Sequence, residues 1–202
     1  MNFIFDNDIL NNLDLYFKNL IQDDCKIYYN NLAGVNEYRL YKYISDQLSD
    51  NIIILDIGTY YGTSAISLSH NETNMVYTYD IKDFGAKDRS KKNIIFLNKN
   101  FLEDKELISE SALIILDIKH NGKEEIEIYD KLKEYNFKGL LLLLDDIHFG
   151  NREPLGGKIQ GYNMNIFWNY IDLPKWDLTK YGHVTGTGLV DFNNNIKNIT
   201  FN

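Results

Sequence analysis

Five short apolar runs constrain this chain more than any other feature: Ile52–Ile57, Met75–Tyr79, Asn93–Leu97, Ala112–Leu116 and Gly139–Leu144. Each is too continuous to be half-exposed and too short for a helix. Runs of about five residues fit strands buried on both faces, as in a parallel sheet. Helical patterns lie between them, at Thr63–Ser69 and Lys123–Tyr135. Strand and helix in alternation predict an α/β fold, a doubly wound sandwich. The segment Lys82–Lys92 is short and polar, so that crossover should be reduced. Two later runs, Trp176–Tyr181 and Gly186–Phe192, are joined by Gly182–Thr185, short enough for an antiparallel hairpin. Upstream, residues 7–22 and 36–49 place apolar residues near helical spacing. Residues 1–50 therefore read as a helical N-terminal appendage, not an independent domain, on a domain spanning 51–202.

Charge and cysteine content narrow the function. Lys and Arg number 21 against 29 Asp and Glu, a net charge of −8. That balance argues against broad nucleic-acid binding and against an anionic membrane surface. The longest apolar run, Leu140–Leu144, is far too short to span a bilayer. Cys25 is the one cysteine, which excludes a disulfide framework and a cysteine-built zinc site. Residues 1–20 carry acids and no basic leader, so the expected location is cytoplasmic.

The first buried run ends in Asp56-Ile57-Gly58-Thr59-Tyr60-Tyr61-Gly62-Thr63-Ser64-Ala65. Gly58 and Gly62 allow a tight turn and a close backbone approach to a ligand. The following helix opens near Gly62–Thr63 and turns its free N–H groups toward the same place. The spacing misses both the dinucleotide fingerprint and the nucleoside-triphosphate loop, which disfavours an NAD-dependent enzyme. Asp80 closes the second run, where a carboxylate can accept both hydroxyls of a ribose.

The fourth run ends Leu116-Asp117-Ile118-Lys119-His120, and the fifth ends Leu144-Asp145-Asp146-Ile147-His148. Ligands of open α/β sheets sit beyond the carboxyl ends of the strands. Asp117, Asp145 and Asp146 should converge there. Three clustered carboxylates repel, and a divalent cation relieves that repulsion. Oxygen ligands favour Mg²⁺, with Mn²⁺ or Ca²⁺ as alternatives. His120, three residues after Asp117, is the candidate proton acceptor, because an imidazole titrates near neutral pH. His148 and Arg152 are candidate substrate contacts, Arg152 within the Phe149–Gly161 loop. His183 reads as a turn residue.

Leu55–Ala65 together with Asp80 resembles the first two motifs of class I S-adenosylmethionine-dependent methyltransferases, most closely the small O-methyltransferase branch. The resemblance implies a Rossmann-like sandwich, with a mostly parallel seven-stranded sheet ending in an antiparallel hairpin. It implies that Asp56 and the backbone at Gly58 hold the amino-acid end of S-adenosylmethionine, with Thr59, Gly62 and Ser64 also among the cofactor-binding residues. Asp80 would hold the ribose, and Asn100 would lie near the adenine, where the family often has Asp. Asp117, Asp145 and Asp146 fall at the metal positions of catechol- and caffeoyl-type enzymes. The Asp145–Asp146 pair resembles the macrocin and mycinamicin sugar O-methyltransferases. The implied activity is methylation of a sugar or glycan hydroxyl, best a vicinal diol, and the oligomeric state is left open. A catechol-like or other small-molecule O-methyltransferase and a non-catalytic cofactor-binding module are the alternatives. No nucleic-acid or membrane partner is expected.

Overall fold

The computed structural model describes residues 1–15, 32–85, 91–135, 140–150 and 163–202. The chain opens with β1 (Asn2–Phe5), α1 (Asn7–Asn11) and α2 (Leu32–Asp46). The apolar runs then form β2 (Ile53–Ile57), β3 (Met75–Tyr79), β4 (Ile94–Leu97), β5 (Ser111–Leu116) and β6 (Leu141–Leu144). Helix α3 (Thr63–Leu68) follows β2, α4 (Lys105–Glu110) precedes β5, and α5 (Lys123–Glu134) links β5 to β6. Helix α6 (Met164–Tyr170), β7 (Lys175–Asp177), β8 (Gly188–Asp191) and β9 (Asn198–Phe201) complete the described elements.

Seven strands form one sheet in the order β4-β3-β2-β5-β6-β8-β7. The pairs from β4 to β6 are parallel, and β8 runs antiparallel to both β6 and β7. This is the mostly parallel sheet with an antiparallel C-terminal hairpin that the apolar runs predict. Strand periodicity divides the core between the two faces. Ile54, Leu113, Ile115, Leu141 and Leu143 pack on one side with Leu40 and Ile44 of α2 and Ile66 of α3. Leu55, Ile114, Leu116, Leu142 and Leu144 pack on the other with Tyr129 and Leu132 of α5 and Phe167 of α6. Every leucine of β6 is fully buried. That is why its sequence shows no alternation.

The first residues depart from a helical appendage. Asn2–Phe5 is a strand, paired in parallel with β9 in a separate two-stranded sheet. Its physical cause is the period-2 pattern Asn-Phe-Ile-Phe. Phe3 and Phe5 are fully buried while Ile4 is 47% exposed. Phe5 meets Tyr43, Tyr181 and Phe201, each with ring centroids 5.8 Å away. The Tyr43 hydroxyl donates to the Ile4 carbonyl at 2.7 Å and accepts from the Ile4 N–H at 3.1 Å, fastening α2 to β1. Helix α1 stops at Asn11, because the Asn12 amide turns back to the Asp8 carbonyl at 2.8 Å. Residues 12–15 follow without helix, against the expected helix over 7–22; residues 16–22, Gly139 and residues 151–161 lie outside the described residues.

The hairpin link is also longer than Gly182–Thr185. Leu178 N–H still reaches the Thr187 carbonyl at 2.7 Å, but the Leu178 carbonyl then accepts from Tyr181 N–H at 2.8 Å and Gly182 N–H at 3.0 Å, so the chain turns before the expected end of the first strand. Among the described residues, no helix is long and apolar enough to cross a membrane.

Phe5→Ala should cost about 3–5 kcal/mol, the usual loss for a buried aromatic side chain. Ile4→Ala, on the exposed face of the same strand, should stay within about 1 kcal/mol. Urea unfolding of the two variants compares these losses, and equal losses would refute the one-sided packing of β1.

Candidate active site and cation pocket

Strand register builds the site. Ile57 pairs with Tyr79 on one side and Leu116 on the other, and Leu116 pairs with Leu144. The residues that follow, Asp80, Gly58, Asp117 and Asp145, therefore form one row beyond the carboxyl ends of four adjacent strands. Backbone bonds continue the ladder by one step: Asp117 N–H reaches the Ile57 carbonyl at 2.9 Å, and Asp145 N–H the Leu116 carbonyl at 3.2 Å. Gly58 has φ +107°, and a Cβ there would lie 1.7 Å from the Asp117 carbonyl oxygen. Only glycine fits.

A cleft of about 840 Å³ opens along this row, within the range of small-molecule sites. Gly58, Asp80, Asn100 and Asp117 line it, as does Tyr60. The Asp80 carboxylate is fixed by two backbone donors, Tyr60 N–H and Lys82 N–H, each at 3.0 Å. Asn100 accepts from Leu102 N–H at 3.1 Å and caps the short turn Phe101–Glu103.

Asp56, Thr59, Gly62 and Ser64 stand off this lining. Asp56 is buried, and its Oδ2 accepts from Thr78 at 2.7 Å and from Ser64 at 3.0 Å. Its Oδ1 is buried without a hydrogen-bond partner among the described residues. Burial pushes this carboxyl up to about 7. Thr59 meets Thr78 at 2.5 Å, and Ser64 bonds Asp56 directly; both therefore brace this buried carboxyl. Gly62, with φ +78°, turns the chain into α3.

At the Asp117 end the charged groups crowd together. His120 Nε2 lies 2.9 Å from Asp117 Oδ1 and 3.5 Å from Asp146 Oδ2. Asp146, with φ +57°, bonds His183 Nδ1 at 3.1 Å and accepts from the Thr185 hydroxyl. His183 Nδ1 is 3.7 Å from Asp145 Oδ1. Helix α2 delivers Glu37, 7% exposed, which accepts from the Tyr41 hydroxyl at 2.7 Å. Ligand atoms of Glu37, Asp145 and His183 all lie within 4.8 Å of one another, as do those of Asp117, His120 and Asp145.

This crowding shifts protons. Burial pushes Glu37 up to about 7 and Asp145 well above the usual carboxylate range. Burial opposes the charge on Asp146 too, but bonds to His183 and Thr185 and the nearby His120 hold it below that range. Burial also works against the His120 imidazolium. The bond to Asp117 and the charges of Asp117, Asp146 and Asp145 outweigh it and lift the ring to about 9. The His120 backbone is held at φ +57° by Glu125, whose Oε1 accepts its N–H at 2.8 Å.

The structure thus gathers Asp117, His120, Asp145 and Asp146, as the sequence predicts. His148 instead pairs with Asp177 of β7, with Nε2 2.7 Å from Oδ2. Arg152 lies outside the described residues. Sequence reasoning misses Glu37 and assigns His183 to a turn. A signal for Glu37 exists: Leu40, Tyr41 and Ile44 follow it at i+3, i+4 and i+7, so an acid sits on an apolar stripe. His183 lies in an aperiodic loop and carries no such signal.

Several solved structures share this architecture. One is a Staphylococcus aureus protein assigned as a caffeoyl-CoA O-methyltransferase, 20% identical, covering 88% of this chain and 99% of that chain at a TM-score of 0.56. Another is the SAH-bound Podospora anserina methyltransferase PaMTH1, 13% identical, covering 84% and 88% at 0.58. A third is the MycE methyltransferase of the mycinamycin biosynthetic pathway, in complex with Mg and SAH. It is 16% identical, covering 80% of this chain but 50% of that chain, at 0.50. No protein-family model matches the chain, and no curated protein matches it in sequence. The fold is that of the class I methyltransferases.

Cation-free stability should follow these proton shifts. His120 is raised from 6.5 to about 9, so its contribution is complete below about 6.5 and lost as pH rises through 9. Asp56, raised from 3.8 to about 7, loses its contribution as pH rises through 7. Urea unfolding in EDTA should show stability falling between pH 6.5 and 9. His120→Asn should flatten that fall, and Asp56→Asn should flatten the decline below pH 7. An unchanged slope in His120→Asn would show that its ring is not held charged by the carboxylates.

Proposed function

We propose that this protein is an S-adenosylmethionine-dependent, divalent-cation-assisted O-methyltransferase acting on a sugar hydroxyl. One observation carries the reading: Asp117 belongs both to the cleft wall and to the acidic pocket, so a donor and an acceptor would meet at its carboxylate. The solved methyltransferases of this fold, one of them holding Mg and SAH, support it.

S-adenosylmethionine, when bound, supplies the methyl group from its sulfonium. Asp80 would take the ribose hydroxyls, since both of its oxygens are already aimed by backbone donors. Asn100 would border the adenine. Gly58 lets the backbone approach the amino-acid end, and the orphaned Oδ1 of Asp56 is an acceptor behind it. Thr59 and Ser64 keep Asp56 in place.

The donor set also fits a hard cation. Asp117, Asp145 and Asp146 offer oxygens, and among the described residues no Lys or Arg ion pair neutralises them. A cation held there supplies Lewis acidity toward an acceptor hydroxyl, and Mg²⁺ or Mn²⁺ suits these ligands. His120 Nε2 is the atom placed to receive the hydroxyl proton. It can do so only when the carboxylates that hold its own proton are offset by positive charge. Positioning donates the rest: a hydroxyl held in line with the S–CH₃ bond needs no covalent help from the chain. The Asp145–Asp146 pair favours a sugar acceptor over a catechol, by its resemblance to the macrocin-type enzymes.

Thermal unfolding with S-adenosylmethionine, SAH or NAD tests the cofactor. The first two should raise the melting temperature and NAD should not. Asp80→Ala should weaken cofactor binding about 10- to 100-fold, the loss of one or two charge-assisted hydrogen bonds. Asp117→Ala should abolish the Mg²⁺ response. Methyl transfer to catechols but to no saccharide would overturn the sugar assignment, and a shift with NAD alone would overturn the methyltransferase.

A further inference from the structure

We infer that Glu37 of α2 and His183 of the loop between β7 and β8 are ligands of the same cation, joined to the Asp117 end of its pocket through Asp145. The inference rests on the cation reading above and adds a mixed donor set to it.

Glu37 has no role in packing that an apolar residue would not fill better. It occupies the buried stripe of α2, in line with Leu40, Tyr41 and Ile44, and is 7% exposed. A carboxylate in such a place is costly unless it is paired or holds a cation. Its partners are a neutral phenol, Tyr41, and a second carboxyl, Asp145, and among the described residues no Lys or Arg forms an ion pair with it. The position is therefore one that a positive ion would stabilise.

The geometry fits one ion. Oxygen and nitrogen ligands stand about 2.0–2.6 Å from a divalent cation, so ligand atoms on its opposite sides are about 4–5 Å apart. Glu37, Asp145 and His183 satisfy that mutual spacing, at 4.8 Å or less. Asp145 is shared with the group formed by Asp117 and His120. It is therefore the pivot between the strand-end carboxylates and the two outer residues.

The two outer residues are also held. Ser45 of α2 donates to the Leu68 carbonyl at 2.8 Å, and Tyr43 ties the same helix to β1. The His183 N–H donates to Thr187 Oγ1 at 2.9 Å, and Thr185 accepts the His148 N–H at 2.8 Å. A ligand set delivered by braced elements loses little freedom on binding.

An imidazole among carboxylates shifts metal preference. Mg²⁺ takes oxygen almost alone, whereas Mn²⁺ accepts nitrogen donors more readily. The pocket should therefore bind Mn²⁺ more tightly than Mg²⁺, and His183 should be the cause.

The test is a titration of the full-length protein with Mn²⁺, following loss of the free-ion electron paramagnetic resonance signal, with Mg²⁺ as competitor. Glu37→Gln, His183→Gln and Asp117→Ala are compared with wild type, and SAH affinity is measured on each as a check on folding. The expected result is at least a 10-fold weaker Mn²⁺ affinity in both Glu37→Gln and His183→Gln, with SAH affinity retained. The Mn²⁺-over-Mg²⁺ preference should shrink in His183→Gln. Wild-type affinity in both variants, while Asp117→Ala loses the ion, would overturn the inference and leave the cation reading standing. No Mn²⁺ binding by the wild type would overturn both. Should Glu37→Gln fail to bind SAH, His183→Gln alone decides between these outcomes.

Discussion

At Gly58 the end of β2 passes so close to the Asp117 carbonyl that no side chain fits between them. This approach continues the β2–β5 ladder one residue past the strands, through the bond from Asp117 N–H to Ile57. Everything chemical in the molecule is placed relative to it. On one side lie Asp80 and the cleft. On the other lie Asp145, Asp146 and the histidines. The two halves share backbone atoms, so a shift in the glycine loop must also move the first carboxylate of the acidic pocket. Strand register, not loop conformation, sets the distance between them.

The acidic pocket shows what that rigidity allows. Four carboxylates, from Glu37, Asp117, Asp145 and Asp146, meet two imidazoles in a partly dehydrated space. Water would separate such charges, but buried strand ends cannot let them go. The pocket responds by redistributing protons: Glu37 and Asp145 resist ionisation, Asp146 stays charged, and His120 holds its proton. A divalent cation of the kind proposed above would displace those protons. That redistribution also explains why a neutral phenol, Tyr41, is tolerated beside Glu37 where a lysine would neutralise the site.

Much of this was legible in the sequence because it depends on local pattern. Buried parallel strands announce themselves as short apolar runs, and the residue after each of the four central runs falls in the ligand row without further information. Gly58, Asp80, Asp117 and Asp145 could be placed that way, and Asp146 one residue further on. Strand β1 could not be: Asn2–Phe5 has a four-residue alternation too brief to stand out before a helical stretch. Strand β9 likewise gains its identity only from pairing with β1. The roles of Glu37 and His183 depend on how distant segments meet, across more than 100 residues of chain. Glu37 left a trace, an acid in an apolar stripe, which reads equally well as a solvated helix position. His148 shows the opposite failure, since its neighbour in the sequence is the acidic pair but its partner in space is Asp177.

The leucine strand β6 has a further use. Leu141 and Leu143 face the layer that carries α2, and Leu142 and Leu144 face the layer of α5 and α6. Two residues beyond the strand lies Asp146. One short segment of chain therefore holds methyl groups that sense each helical layer separately, within reach of the pocket. Selectively labelled leucine methyls would act as paired spectroscopic reporters, distinguishing a ligand that draws on α2 from one that settles against α5.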